Sequence, residues 1–147
     1  MTNVNPQTSS GTSPDELMEK AQEARKASYS PYSGFAVGAA LLCADGTVYT
    51  GANIENSSYP VGICAERVAL FKAVSEGHRD DLVALALCGG KGTDFVFCPP
   101  CGMCRQALSE FCPEGFPLFI MNDGGKGYTK TTLGELLPGA FGKDALK

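Results

Sequence analysis

The chain has 147 residues, 44% of them hydrophobic, with twelve basic against sixteen acidic side chains and a net charge of -4. This length suits one domain able to bury about two-thirds of its unfolded surface without a staple. With no Lys/Arg cluster anywhere, a nucleic acid partner is not expected, and no apolar run approaches the ~20 residues that cross a bilayer. Seven cysteines make an odd set, and no charged-then-apolar leader precedes them. That combination suits a reducing cytoplasm and reads as metal ligands or free thiols, not as a disulfide framework.

Residues 1 to 12 hold almost nothing apolar and are expected to form a loose tail before one domain over residues 13–147. Ser13-Pro14-Asp15-Glu16 offers a capping hydroxyl, a proline at the first helical position and a glutamate three residues past the cap. A helix therefore begins there, with Leu17, Ala21 and Ala24 at helical spacing, and ends near Ser28. Phe35 to Cys43 is nearly all apolar, as a strand covered on both faces would be. Asp45-Gly46 then supplies the turn to an antiparallel partner over Thr47 to Asn53. In the helix expected from Cys64 to Glu76, the apolar residues Ala65, Val68, Ala69, Leu70, Phe71, Ala73 and Val74 spread too widely for a surface helix. Part of it is expected to pack on another subunit.

Strands are expected over Leu82 to Cys88 and Pro117 to Met121, with a helix from Gly102 to Phe111 between them, so they should run parallel. Asn122 to Gly127 is too short for a crossover helix, and the last strand, Tyr128 to Thr132, should return antiparallel. The expected fold class is α/β with a five-stranded mixed sheet and no second domain.

Cys64-Ala65-Glu66 and Pro100-Cys101-Gly102-Met103-Cys104 carry the chemistry. Three thiols can hold zinc while leaving a position open, and a non-ligand carboxylate nearby can accept a proton from water there, so the pattern points to hydrolysis. Each thiol segment opens a predicted helix, whose partial positive charge favours thiolates. Two rivals use the same residues. Cys98 could close a structural zinc knuckle with Cys64, Cys101 and Cys104, and Cys101 with Cys104 could form a thioredoxin-like redox pair. Asn53 and Glu55 alternate at a strand end, where an amide and a carboxylate could bind a sugar hydroxyl. His78 follows Gly77 past a helix end and reads as a surface residue near carbonyl groups, while Cys43, Cys88 and Cys112 read as small buried hydrophobes.

Five segments, Tyr32 to Leu41, Asn53 to Tyr59, Cys64 to Arg67, Pro100 to Gln106 and Leu136 to Gly142, resemble in order and spacing the small homotetrameric cytidine deaminases. The resemblance implies a three-layer α-β-α sandwich and one Zn²⁺ per chain on Cys64, Cys101 and Cys104. It makes Glu66 the group that takes a proton from zinc-bound water, passes it to N3 of cytosine and protonates the departing amine. Arg67 would hydrogen-bond the zinc-bound sulfurs, relieving the excess negative charge of three thiolates. For the substrate, the resemblance implies Asn53 and Glu55 on the 3′-hydroxyl, Phe35 beside the nucleoside and Ala65 within the binding set. It further implies that Phe141 stacks on the pyrimidine of a neighbouring subunit, with Ser57 and Tyr59 approaching the sugar across the same kind of interface. The expected reaction is conversion of cytidine and 2′-deoxycytidine to uridine and 2′-deoxyuridine plus ammonia, in pyrimidine salvage. Deaminases of cytosine-containing antibiotics share the metal pattern, but Asn53-Ile54-Glu55 and Pro138-Gly139-Ala140-Phe141 favour an ordinary nucleoside.

Overall fold

The computed structural model describes residues 11–147, so the expected tail lies outside the described residues except for Gly11 and Thr12. Ser13 caps α1 (Pro14–Arg25): its hydroxyl accepts from the Glu16 amide at 3.1 Å, and the Glu16 carboxylate accepts from the Ser13 amide at 3.3 Å. The helix stops three residues before Ser28, and the amides of Lys26, Ala27 and Ser28 each donate to the carbonyl three residues back, so the chain leaves it in tighter turns. Arg25 Nε donates to the Ala36 carbonyl at 2.9 Å, and its terminal nitrogen to Gly90 and Gly92 at 2.7 Å each.

Strands β1 (Phe35–Cys43) and β2 (Val48–Ala52) form the expected hairpin about Gly46, whose φ of 92° needs a residue without Cβ. After α2 (Ala65–Ser75) the chain runs through β3 (Leu82–Lys91), β4 (Asp94–Val96), α3 (Gly102–Phe111), β5 (Pro117–Met121), β6 (Tyr128–Thr132) and the short α4 (Leu133–Leu136). The strands lie in the order β2-β1-β3-β5-β6. β3 and β5 are parallel and the other pairs antiparallel.

The five strands of that path form the expected mixed sheet, and a short sixth strand, β4, pairs with the end of β3 beside it. β3 runs three residues beyond Cys88, turns at Gly92 and takes Asp94–Val96 back along its own end. The glycine-rich run Gly89-Gly90-Lys91-Gly92 hides that extension, because glycine carries no side chain to show the alternation of a strand.

Both faces of the sheet are covered. Leu17, Met18 and Ala21 of α1 pack with Ala40, Leu42, Ala86 and Phe119 on one side. On the other, Ala69 and Leu70 of α2 and Leu108 of α3 pack with Ala39, Leu41, Leu85 and Leu118. Each fully buried Leu contributes roughly 1.5–3 kcal/mol, so these two layers supply much of the drive to fold. Alternate β1 residues serve opposite layers, which is why the strand reads as continuously apolar. At Gly51 a Cβ would overlap the Ala65 carbonyl oxygen and lie 2.7 Å from the Ala69 nitrogen, so α2 rests directly on the β2 backbone.

His78 departs from its expected surroundings. Its Nδ1 contacts both Asp81 carboxylate oxygens, at 3.0 and 3.1 Å, in place of helix-end carbonyls, and buried Cys43 lies in the same cluster. Gly77, at φ 97°, turns the chain after α2 and returns the histidine toward the start of β3.

Candidate active site

Cys64 and Cys101 are the N-cap residues of α2 and α3. Both have extended backbones, and neither side chain makes a capping hydrogen bond, which leaves each sulfur available elsewhere. Cys64 Sγ lies 3.7 Å from Cys101 Sγ, and Cys101 Sγ 3.6 Å from Cys104 Sγ. A tetrahedral zinc with bonds near 2.3 Å sets its sulfurs about 3.8 Å apart, so the three thiols fit that ion closely. Cys98 does not belong to this set of mutually close donors. Its sulfur packs beside Gly89 and Val37, and burial, then the nearby Glu66, pushes its thiol up to about 11. The closed four-ligand arrangement is thereby disfavoured.

Arg67 places a terminal nitrogen 3.5 Å from Cys64 Sγ, while its Nε is buried with no hydrogen-bond partner. An orphaned guanidinium nitrogen beside a sulfur cluster is understandable if the sulfurs carry the negative charge of a loaded metal site. The Cys104 hydrogen bond, with help from Arg67 and Cys101, pulls the Cys64 thiol down to about 5 against its burial. Cys104 moves up, first as the partner that keeps the proton and then by burial.

Glu66 follows Cys64 by two residues and points inward from the first turn of α2, only 5% exposed. Burial, and after it the charge of Cys64, raises its carboxyl pKa. It lines a cleft of about 250 Å³ with Val37, Asn53, Glu55, Ile63, Cys64, Ala65, Cys98, Pro99 and Cys101. Isolated bridges from Ile54 to Tyr29 and to Ile63 bring the end of β2 alongside the approach to Cys64.

Hydrogen bonding sets the polarity of the two groups facing that cleft from the β2 end. Asn53 Oδ1 accepts from the Val37 amide at 2.8 Å and from Ser28 Oγ at 2.5 Å, and Nδ2 donates to the Phe35 carbonyl at 2.8 Å. The amide cannot flip without losing its contacts with the Val37 amide and the Phe35 carbonyl, and one Nδ2 hydrogen remains to donate. Glu55 accepts from the Tyr32 and Ser33 amides at 3.0 and 3.1 Å and from Ser33 Oγ at 2.5 Å. Those donors, the Ser33 hydroxyl foremost, hold its carboxyl pKa below the ordinary value.

Cys64, Cys101, Glu66, Ala65, Asn53 and Glu55 share one cleft, with Cys104 and Arg67 adjoining through the sulfurs. Phe35 is half-buried next to Cys98 and Val37 around Gly89. Ser57 is exposed, and Tyr59, 75% exposed, borders a neighbouring hollow that shares Glu55 with the cleft. Phe141, 64% exposed, lines a separate cavity at the C-terminal end of α3. Sequence reasoning overlooked Val37, Ile63 and Pro99 as lining residues, and Ser28 and Ser33 as partners of Asn53 and Glu55. Alternation along β1 from Phe35 could have identified Val37. Nothing local marks the serines, since their partners lie more than twenty residues away.

The family described as the cytidine and deoxycytidylate deaminase zinc-binding region matches residues 12–119. A cytidine deaminase of Halalkalibacterium halodurans is 50% identical over 125 residues, covering 85% of this chain and 91% of that protein. Another, of Sporosarcina psychrophila, is 46% identical over 132 residues, covering 90% and 93%. Among solved structures, the cytidine deaminase of Burkholderia pseudomallei superposes with a TM-score of 0.79 at 41% identity, covering 86% of this chain and 98% of that one. Three sulfurs at zinc spacing beside a buried glutamate, on a fold shared with these enzymes, lead to one conclusion: the chain belongs to the zinc-dependent cytidine and deoxycytidylate deaminase family.

Proposed function

We propose that residues 13–147 act as one catalytic domain that hydrolyses cytidine and 2′-deoxycytidine to uridine and 2′-deoxyuridine with release of ammonia, in pyrimidine salvage. The observation that carries this reading is the buried Glu66 beside the Cys64, Cys101 and Cys104 sulfurs, in a cleft whose opposite wall presents Asn53 and Glu55. Cys64, Cys101 and Cys104 would hold the zinc ion, which when bound would supply the Lewis acidity that activates water. Glu66 accepts the proton of the attacking water and transfers it to N3 of the cytosine as C4 becomes tetrahedral; it then takes the proton of the new C4 hydroxyl and delivers it to the departing amino group, so that the C4 carbonyl and ammonia form. Its low exposure keeps solvent from competing for that proton. Arg67 offsets part of the negative charge on the sulfurs. The free Nδ2 hydrogen of Asn53 donates to the sugar 3′-hydroxyl, which donates in turn to Glu55.

The same reading makes the enzyme a homotetramer with shared sites in the cytoplasm. It is supported by the exposure of Tyr59, Val61, Phe71 and Phe141 on one chain, and by seven free cysteines suited to a reducing compartment. Among the described residues, no helix is long and apolar enough to cross a membrane. Glu66→Gln tests the chemistry: zinc content should stay at one per chain while turnover of cytidine falls by at least ~10²-fold, because the amide keeps the shape and cannot carry protons. Near-normal turnover would remove Glu66 from the mechanism.

A further inference from the structure

We propose that Cys43, His78 and Asp81 form a second cation site, for a divalent ion of the zinc class, at the end of β1 remote from the catalytic cleft. One donor atom from each residue lies within 4.8 Å of the other two. Cys43 is six residues along β1 from Val37 of the cleft, about 20 Å at strand rise, so the catalytic ligands take no part.

The chain positions these donors before any ion arrives. Cys43 pairs with Leu82 across the β1–β3 ladder, the Ala44 amide donates to the Asp81 carbonyl at 2.8 Å, and the His78 amide donates to the Ala73 carbonyl at 2.9 Å. Binding therefore has little backbone to order. Nitrogen, sulfur and oxygen donors on one tetrahedral zinc sit about 3.2–3.7 Å apart, so side-chain shifts of roughly 1 Å or less close the present set around an ion. The contact of His78 Nδ1 with Asp81, at 3.0 Å, is slightly shorter than that spacing and opens by a few tenths of an ångström to admit an ion.

Two further observations bear on a cation. The other ring nitrogen, Nε2, lies 3.8 Å from Asp45 Oδ2, which resembles the outer carboxylate that commonly orients a metal-bound imidazole. The field at the site is negative, because the carboxylates of Asp81 and Asp45 face the two ring nitrogens of His78 at 3.0 and 3.8 Å. That field opposes a bare thiolate and favours a dication. On binding, the Cys43 S–H bond breaks, its proton leaves to solvent and the sulfur lone pair goes to the metal; imidazole binds neutral through Nδ1, and nothing is oxidised or reduced. The donor mixture suits zinc or cobalt better than magnesium or calcium, which prefer all-oxygen shells. A bound ion would tie the β1–β2 turn to the segment between α2 and β3.

Cobalt(II) is the probe, added to enzyme already carrying one zinc per chain. A second metal equivalent should bind, with a cobalt–thiolate charge-transfer band and a higher melting temperature. Both signals should vanish in Cys43→Ala and in His78→Gln, with cytidine turnover and the first zinc unchanged. His78→Gln alters a partly exposed side chain and decides the matter alone if Cys43→Ala does not fold. Binding of a single equivalent only, or a second equivalent that persists in either folded variant, overturns the site. Neither readout depends on catalysis, so this proposal and the assignment of the catalytic residues can fail separately.

Discussion

A hydroxyl at position 28 governs more than its own neighbourhood. The Val37 amide and the Phe35 carbonyl dictate which end of the Asn53 amide faces the cleft, and Ser28 Oγ adds a further hydrogen bond to Oδ1 that holds it in place. Losing one such hydrogen bond costs about 0.5–1.5 kcal/mol, so Ser28→Ala should raise KM for cytidine by roughly two- to tenfold, with kcat and zinc content unchanged. Steady-state kinetics with cytidine and 3′-deoxycytidine provide the check, since the effect should shrink when the 3′-hydroxyl is absent. An unchanged KM would deprive Ser28 of any positioning role. Cys98 is the complementary case: it lines the cleft without joining the sulfur trio. Cys98→Ser should retain full zinc occupancy and activity by metal analysis and assay, whereas loss of zinc with unfolding would restore the closed four-cysteine site. The sulfur trio of Cys64, Cys101 and Cys104 was legible because each lies within or beside a short motif. Ser28 and Ser33 were not, because a hydrogen bond between distant segments leaves no local pattern.

At the level of elements, the site depends on how closely α2 approaches the sheet. Gly51 leaves no room for a methyl group between β2 and the first turn of α2, the turn that carries Ala65 and Glu66. Gly51→Ala should push that turn outward, costing about 1–3 kcal/mol in overpacking and moving the carboxylate away from the sulfurs. Urea unfolding and kcat, measured together, should both fall. A variant as stable and active as the parent would mean that α2 can shift without consequence. Helix and strand identities were readable from the capping box at Ser13, the turn at Asp45-Gly46 and the apolar runs of β1, β3 and β5. β4 was not, since three residues after a glycine run carry too little periodicity to register.

For the whole molecule, the unanswered residues are those that face outward on a single chain. Phe141 offers its carbonyl to Gln106 Nε2 at 3.0 Å, and its side chain is mostly exposed. Under the shared-site reading, Phe141→Ala weakens cytidine binding with zinc retained, and mixing it with Glu66→Gln subunits restores part of the activity. Mixed assemblies then contain sites with Glu66 from one variant and Phe141 from the other. An active monomer, or no recovery when subunits demonstrably exchange, would separate Phe141 from catalysis.

By itself the sequence determined the candidate thiol set, the candidate proton carrier and the strand–helix alternation, because each is written in residue type and short spacing: thiols three residues apart, a glutamate two residues past a cysteine, apolar runs between turns. Tertiary structure decided what depends on distance across the chain. It excluded Cys98 from the sulfur trio, buried Glu66, fixed the polarity of Asn53 through Val37 and Phe35, and brought Cys43 at the end of β1 together with His78 and Asp81 of the segment between α2 and β3. The physical reason is that coordination and hydrogen bonding act over about 2–3 Å, and only the packing of α2 and the β1–β3 ladder brings residues far apart in the chain to that range.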